Sequence, residues 1–338
     1  MEVIVQFHRR TIPAMQPTLR RCARGRLMPT VSWRQRPQRI GRSTRVEYQD
    51  AVTVLNSHIF GTEKVALLQR IADNPSRFVG LFRPTKPQAK ILQYLLQSNE
   101  IRFGDAMEEV IRLLIAEMGY TNLPRELISA TGDDLSVDQY FKGPDKYYFI
   151  EQKVRDDHDS TKKRGQVENF EQKLDILSSQ HPGSLVGAMF FIDPDLSKNK
   201  TFYTERLSQL QTNYNAELHL FYGKQMFTYL GDQSVWAKLI KWLSEWKGSL
   251  PDLPDLNLDA SPIQSFEELK ALPPTTWRRL SADDRLWHEG IIQAVFRDGS
   301  TIKLVMQYHM IQAGKESKAL ANALRARLEE FYPHLNAG

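Results

Sequence analysis

Two segments of the chain bring together side chains that could do chemistry. Glu151 and Lys153 lie near the end of the apolar run "YYFIEQKV" (residues 147–154), and on a strand residues two apart share a face. Asp138 lies in the preceding alternating segment "LSVDQYFKG", and the turn sequence "GPDK" between the two segments predicts a hairpin. Because paired strands lie about 4.8 Å apart, we expect the three side chains to converge on one point.

These residues form a donor set that suits a hard divalent cation. The carboxylates of Asp138 and Glu151, with the backbone carbonyl of Gln152, give the all-oxygen environment that is typical of Mg²⁺. Such a site is suited to phosphodiester hydrolysis, in which Lys153 would orient or deprotonate the attacking water. The alternative is a surface ion pair, but such pairs contribute only about 0–1 kcal/mol, too little to explain charges at the end of an apolar strand.

Helical and strand patterns alternate around these residues. The segment "FGDAMEEVIRLLIAEMGY" repeats apolar residues at helical spacing, and three strands follow it. The order then continues helix, strand, helix, strand as far as Tyr222. This order predicts an α/β fold, in which a mixed sheet has helices on both faces. Pro84 and Pro87 break the chain before a further helix that precedes this core.

The predicted organisation has five parts. They are a basic leader over residues 1–45, a helical N-terminal region over 46–99, a core over 100–247, a Pro- and Asp-rich linker over 248–264 and a helical C-terminal region over 265–338. The leader holds eleven of the 45 Lys and Arg residues and one of the 40 acidic residues, so residues 46–338 carry 34 basic and 39 acidic side chains. The basic pI therefore belongs to the leader, and it does not argue that the remaining body binds nucleic acid.

The leader shows no sustained periodicity, which predicts disorder. Three interpretations stay open: a dispensable extension before a later start such as Met28, an arm that binds DNA phosphates, or an Arg-rich targeting segment.

Several classes of protein are excluded by what the sequence lacks. Its apolar stretches are too short to span a bilayer, and its single cysteine, Cys22, cannot form an intrachain disulfide. We therefore expect a soluble, cytoplasmic protein without a membrane partner. The chain has no P-loop, no dinucleotide-binding glycine fingerprint, no HExxH and no GxSxG, which argues against an NTPase, a redox enzyme, a zinc protease or a serine hydrolase.

The pattern Asp138–hairpin–Glu151–x–Lys153 resembles the signature of the PD-(D/E)xK nuclease superfamily. The order of elements over roughly residues 100–225 also resembles that superfamily's αβββαβ core. The resemblance implies a restriction-endonuclease-like fold with a mixed sheet, to which this chain adds helical N- and C-terminal regions.

Two positions in this pattern have rivals. In that superfamily the first core helix often carries a glutamate that assists metal binding; Glu108 fits this role, with Glu109 as its rival. The literal Pro-Asp pair of the signature is missing here, because no proline precedes Asp138, a departure that is common in the superfamily. Asp133 and Asp134 therefore stay as competitors for the first carboxylate. Asp138 is preferred because we expect it to lie within the strand that faces Glu151.

A narrower resemblance is to type II restriction endonucleases of the TdeIII kind. It rests on "IEQKVRDDHDSTKKRGQ", "GLFRPTKPQAKILQYLLQSNEIRFGDAMEE" and "SFEELKALPPTTWRRL". The resemblance implies Mg²⁺-dependent cleavage of double-stranded DNA at a short specific site, with 5′-phosphate and 3′-hydroxyl ends. It also implies a homodimer and a cognate DNA methyltransferase as genetic partner. A GGNCC-like recognition sequence is associated with those enzymes, although no residue of this chain reveals one.

Basic residues that could contact DNA follow the candidate site directly. Lys162, Lys163 and Arg164 lie at a predicted helix start, where they could hold phosphates or reach guanine edges. Gln166 echoes a glutamine seen in related nucleases, and a simple N-terminal helix residue is an equal alternative.

The competing interpretation of this segment is a solvated loop. In it, the neighbouring acids neutralise the three cations; these acids are Asp156, Asp157 and Asp159.

Two rival functions also stay open. One is a DNA repair or recombination nuclease that cuts by structure on the same core, and the other is a non-catalytic DNA-binding protein in which the Glu151–Lys153 pair is only structural.

Overall fold

The computed structural model describes residues 45–82, 84–128, 132 and 134–336. The predicted leader, apart from Arg45, and the rival carboxylate Asp133 lie outside these residues. The α-helices of the described part are α1 (Tyr48–Ile59), α2 (Glu63–Asp73), α3 (Pro87–Glu117), α4 (Ser160–Gln180), α5 (Lys200–Tyr214), α6 (Lys224–Tyr229), α7 (Ser234–Gly248), α8 (Pro262–Leu269), α9 (Pro274–Ala282), α10 (Asp284–His288), α11 (Ile291–Val295), α12 (Ser300–Ile311) and α13 (Lys315–Phe331). Its β-strands are β1 (Thr121–Asn122), β2 (Glu126–Ile128), β3 (Asp134–Ser136), β4 (Gln139–Lys142), β5 (Tyr147–Lys153), β6 (Leu185–Phe191) and β7 (Glu217–Tyr222).

A mixed sheet forms the centre of the fold. Within the described residues it has five strands in the order β1-β4-β5-β6-β7. The pairs β1–β4 and β4–β5 are antiparallel, whereas β5–β6 and β6–β7 are parallel. One apolar cluster packs the sheet against α1, α3, α6 and α7, and a second packs its other face against α4 and α5. The predicted mixed α/β fold with helices on both faces of the sheet is therefore confirmed.

The strand count before α4 differs from the prediction. Within the described residues five strands precede α4 instead of three, because "LSVDQYFKG" divides into β3 and β4 and because Thr121–Asn122 forms the additional strand β1. The amide of Val137 donates to the carbonyl of Arg125 at 3.0 Å and prolongs the β2–β3 hairpin, whereas Tyr140 already accepts from Leu123 at 2.8 Å beside β1. The backbone changes partners at Asp138, which therefore lies just before β4 and not within a strand.

Helix α3 is continuous where the sequence pattern predicts two helices. Pro87 stands in its first turn, where the missing amide is tolerated, and the helix then runs for 31 residues. Its first half buries Ile91 and Leu95 among the C-terminal helices, and its second half packs under the sheet. Phe103, between the two halves, stacks on Trp246 with 5.9 Å between ring centroids. One helix thus connects the helical core to the sheet.

The segment predicted as a linker, residues 248–264, is exposed over residues 251–253 but is anchored to the C-terminal helices by its buried residues Leu256, Leu258 and Asp259. Leu256 and Leu258 are buried in the same cluster as the tryptophans of α9 and α10. The Asp259 carboxylate accepts hydrogen bonds from the amides of Gly299 and Thr301, each at 2.8 Å, at the start of α12. The Pro- and Asp-rich composition on which the linker prediction rests gives no sign of these long-range contacts. Within the described residues, no helix combines the length and apolar character that crossing a membrane requires.

Candidate active site

The carboxyl end of β5 places the predicted residues together. β5 lies between β4 and β6, and its register pairs Gln139 with Ile150, so that Asp138 comes next to Glu151. Glu151 and Lys153 share the sheet face of Phe149, which packs towards α4. The spacing of two residues thus has the predicted consequence for side-chain direction.

The ammonium group of Lys153 lies among three oxygen atoms. Its Nζ donates to Asp138 Oδ2 at 2.9 Å, to Glu151 Oε1 at 2.9 Å and to the backbone carbonyl of Gln152 at 2.8 Å. Asp138 Oδ2 also accepts from the amide of Gln152 at 2.7 Å, which holds this carboxylate against β5. We refer to these three oxygen atoms as the oxygen cage.

The oxygen cage contains the three atoms that the sequence suggests as Mg²⁺ ligands. Carboxylate and carbonyl oxygens are the ligands that this ion prefers, so the donor chemistry fits Mg²⁺. Among residues 45–82, 84–128, 132 and 134–336, no group of three or more His, Cys, Asp or Glu side chains is arranged to hold a metal. The cage has only two carboxylates and is completed by a carbonyl. An ion that takes this place must displace the Lys153 ammonium.

The charges in the oxygen cage shift one another's pKa values. Burial, together with the charge of Glu151, raises the pKa of Asp138. Burial alone would lower the pKa of Lys153, but the carboxylates of Glu151 and Asp138 outweigh it and raise that pKa above its ordinary value. Lys153 is therefore a stable cation in this arrangement.

Glu108 on α3 belongs to the same electrostatic group. Burial and the charge of Asp138 raise the pKa of Glu108 to about 8. Arg125 Nη1 donates to Glu108 Oε2 at 3.2 Å and to the backbone carbonyl of Asp138 at 3.3 Å. The rival Glu109 pairs with Nη2 of the same arginine at 2.7 Å. Arg125 thus contacts both rivals, and the charge of Asp138 acts on Glu108.

The rival for the first carboxylate lies elsewhere. Asp134 is exposed at the start of β3, where it pairs with Ile128 of β2. Asp133 lies outside the described residues. The structure thus brings Asp138 to Glu151 and leaves Asp134 in the separate hairpin.

Two residues of the site have no counterpart in the sequence-based prediction. Lys173 Nζ, on α4, donates to Glu151 Oε2 at 2.5 Å, and the two side chains are 4% and 7% exposed. The sequence feature that could have indicated Lys173 is its position on the apolar face of α4, between Phe170 and Leu174. Arg125 lies in the loop between β1 and β2, and its sequence context gives no sign that it reaches α3.

The predicted DNA-contacting cations lie in the first turns of α4. Lys162 and Arg164 are exposed, whereas Lys163 Nζ lies 4.5 Å from the ring centroid of Phe202. The Asp159 carboxylate caps the helix by accepting from the amide of Lys162 at 2.8 Å. Of the three predicted cations, Lys162 and Arg164 are thus the two that face solvent.

Gln166 faces protein. Its amide oxygen accepts from the hydroxyl of Tyr203 on α5 at 2.6 Å, which gives it a packing contact and favours the simple helix residue over a DNA contact. The loop before α4 is anchored by Asp156, which is fully buried. The Asp156 carboxylate accepts from the backbone and side-chain amides of Asn199 and from the hydroxyl of Tyr222, each at 2.8 Å.

The acids of this segment thus have structural roles. Asp156 fixes the loop, Asp159 caps α4, and Asp157 lies 3.3 Å from the ring of His158. Asp156 is buried and therefore does not neutralise these cations on a solvated loop, whereas Asp157 and Asp159 are exposed beside them, as that alternative expects.

Comparison with known proteins identifies the family. The family model described as type II restriction endonuclease, HinfI, matches residues 47–129 and 122–247, which together span more than half of the 338 residues. The chain belongs to this family. It is therefore a restriction endonuclease, a nuclease that acts on DNA. No curated protein matches the chain.

The HinfI-family match covers the whole candidate site. Glu108 lies in the first matched segment, and the oxygen cage and Lys173 lie in the second. The helices beyond α7, including the packed segment that contains Asp259, lie outside both segments.

Proposed function

We propose that the chain is a Mg²⁺-dependent type II restriction endonuclease that cleaves both strands of DNA at a specific sequence. The observation that carries this proposal is the oxygen cage, in which oxygens of Asp138, Glu151 and the Gln152 carbonyl surround the Lys153 ammonium at 2.8–2.9 Å. We assign the site to the PD-(D/E)xK type, with an αβββαβ core that would consist of α3, β1, β4, β5, α4 and β6, the β2–β3 hairpin being an insertion in a separate sheet. The closer likeness to TdeIII-type enzymes, with a GGNCC-like site, stays a prediction.

The predicted residues of the site would divide the work of hydrolysis. Asp138, Glu151 and the Gln152 carbonyl would hold the ion, and Glu108 would assist once it loses its proton. A bound Mg²⁺ supplies positive charge that stabilises the phosphoryl group in the transition state. Lys153, displaced from the oxygen cage, orients the attacking water and offsets negative charge on the phosphate.

The hydrolysis breaks the bond between phosphorus and the 3′ oxygen. Water forms a bond from its oxygen to the phosphorus and gives up one proton, the 3′ oxygen leaves and takes up one proton, and the products are 5′-phosphate and 3′-hydroxyl ends.

The proposed partners are double-stranded DNA, a second copy of the chain and a DNA methyltransferase. The described residues of one chain contain one oxygen cage, whereas the substrate has two antiparallel strands to cut. A homodimer with two-fold symmetry would present one cage to each strand. Lys162 and Arg164 would contact phosphates, whereas Lys163, also predicted to do so, packs against Phe202. A cognate DNA methyltransferase would protect the host's own sites, and the enzyme would act in the cytoplasm.

The direct test is cleavage of plasmid DNA with and without Mg²⁺. The purified wild-type protein should give discrete fragments only with Mg²⁺, and Asp138→Ala and Lys153→Ala should give none. Lys238→Met is the matched control, because Lys238 on α7 is also ion-paired, to Glu117 at 2.6 Å, but lies outside the site. This control should cut like the wild type.

Other results would contradict the proposal in distinct ways. Equal cutting by Lys153→Ala would remove Lys153 from the site. Cutting of branched DNA without discrete plasmid fragments would favour the structure-specific repair nuclease. DNA binding that is indifferent to Mg²⁺, without any cutting, would favour the non-catalytic DNA-binding protein.

A further inference from the structure

The two carboxylate oxygens of Glu151 have different lysine partners. Oε1 accepts from Lys153 at 2.9 Å inside the oxygen cage, and Oε2 accepts from Lys173 at 2.5 Å. Lys153 is the last residue of β5, whereas Lys173 reaches the carboxylate from α4, which packs on the face of the sheet. Glu151 is thus held by two lysines, one from β5 and one from α4.

Lys173 is buried among apolar side chains. Its side chain is only 4% exposed, and its neighbours Phe170 and Leu174 on α4 are fully buried. A buried ammonium is strongly unfavourable unless it is paired, and its partner here is Glu151. A lysine at this position is therefore explained by the carboxylate and not by helix packing. Its burial also prevents contact with DNA.

The contact with Lys153 cannot persist when the oxygen cage holds an ion. The three oxygens that bind the Lys153 ammonium are those proposed as metal ligands, so the ion and the ammonium compete for one place. Once Lys153 withdraws, Lys173 continues to hold Oε2. Carboxylate ligands keep their orientation through such additional hydrogen bonds.

We infer that Lys173 is a positioning residue of the nuclease site, which fixes Glu151 so that Oε1 stays directed into the oxygen cage. This inference rests on the proposed function, because it concerns the ion that the cage would hold. Lys173 acts through Glu151 and touches neither the ion nor the DNA.

A purely neutralising role for Lys173 makes the opposite prediction. A cation that only balances the charge of Glu151 also repels a metal ion, so its removal would tighten metal binding. A positioning residue holds the ligand in place, so its removal weakens metal binding. The direction of the change in metal affinity therefore separates the two roles.

The experiment measures Mn²⁺ binding to the full chain without DNA by isothermal titration calorimetry. Lys173→Met should weaken the affinity for Mn²⁺ by about 10- to 100-fold, as is typical when a partner of a metal ligand is removed. Lys173→Arg, which keeps a charged donor, should lie between Lys173→Met and the wild type. Lys238→Met is again the matched control and should bind Mn²⁺ like the wild type.

A parallel cleavage assay with Mg²⁺ gives a second readout. Lys173→Met should lower kcat and leave the KM for plasmid DNA unchanged, because Lys173 does not touch the substrate. Circular dichroism and thermal unfolding establish that each variant is folded. If Lys173→Met does not fold, Lys173→Arg decides, with an expected several-fold loss of Mn²⁺ affinity.

Two outcomes would overturn the inference about Lys173, and a third would contradict only the proposed function. Unchanged or tighter Mn²⁺ binding by the folded Lys173 variants would leave Lys173 without a positioning role. A wild-type protein that binds Mn²⁺ but cuts no DNA would contradict the proposed function alone, since the affinities still report on Glu151. A wild-type protein that binds no Mn²⁺ would overturn both.

Discussion

Replacing Lys153 with methionine should make metal binding tighter while it abolishes cleavage. The Lys153 ammonium donates to all three oxygens of the cage, so it competes with any ion that enters. Methionine keeps most of the volume of the side chain and removes the charge. Lys153→Met should therefore bind Mg²⁺ more tightly, although the wild type is the form that cuts.

The size of this effect follows from the contacts of the ammonium. A unit charge 2.9 Å from a carboxylate oxygen has a gross attraction of ~6 kcal/mol at an effective dielectric constant of ~20. Water replaces much of that when the ammonium leaves, and one hydrogen bond to a charged group contributes a net ~1.5–3 kcal/mol. Lys153→Met should thus tighten Mg²⁺ binding by about 10- to 100-fold.

Thermal unfolding at pH 8, with and without Mg²⁺, measures this change. At ion concentrations well above both dissociation constants, the tighter site adds about 1.5–3 kcal/mol of stabilisation. At ~2 °C per kcal/mol, the Mg²⁺-induced rise in Tm should be roughly 3–6 °C larger for Lys153→Met than for the wild type. Lys238→Met should show the wild-type rise. An equal or smaller rise for Lys153→Met would mean that the ammonium does not occupy the place of the ion.

Three further predictions address the surroundings of the oxygen cage. Because burial and Asp138 raise the pKa of Glu108 from 4.5 to about 8, its contribution to stability is complete below pH 4.5 and is lost as the pH rises through about 8. The metal-free Tm of Glu108→Gln should accordingly fall less than that of the wild type between pH 5.5 and 8.5, and parallel curves would contradict this pKa. Asp156→Ala leaves three buried donors without their acceptor and should lower the free energy of unfolding in urea by about 3 kcal/mol or more, against ~1 kcal/mol for Tyr222→Phe; equal losses would contradict the central role of the carboxylate. Replacing both Lys162 and Arg164 with alanine should reduce the slope of log affinity for DNA against log salt concentration by about two per subunit, and so by about four for the proposed homodimer; an unchanged slope would place DNA elsewhere.

Local rules predicted the parts of the site that lie on neighbouring backbone. The two-residue period of a strand put Glu151 and Lys153 on one face, and the hairpin register brought Asp138 beside them. The two-residue period could not show that the backbone changes its strand partner at Asp138. This change depends on the hydrogen bond from Val137 to the carbonyl of Arg125, which lies in a separate loop.

Contacts between distant segments were beyond these rules. Lys173 meets Glu151 only because α4 packs on β5, and within α4 it looked like one polar residue on an otherwise apolar stripe. The segment around Asp259 looked like a linker because its composition is polar, whereas its carboxylate caps a helix about 40 residues further on. In both cases a charged residue is buried by a partner that is distant in sequence.

The most direct measurement is the sequence and chemistry of the DNA ends that the protein produces. After incubation of plasmid DNA with the wild-type protein and Mg²⁺, all ends should fall at one short sequence and carry 5′-phosphates, and Glu151→Gln should produce none. Ends scattered over unrelated sequences, or the same ends from Glu151→Gln, would contradict a site-specific nuclease centred on β5.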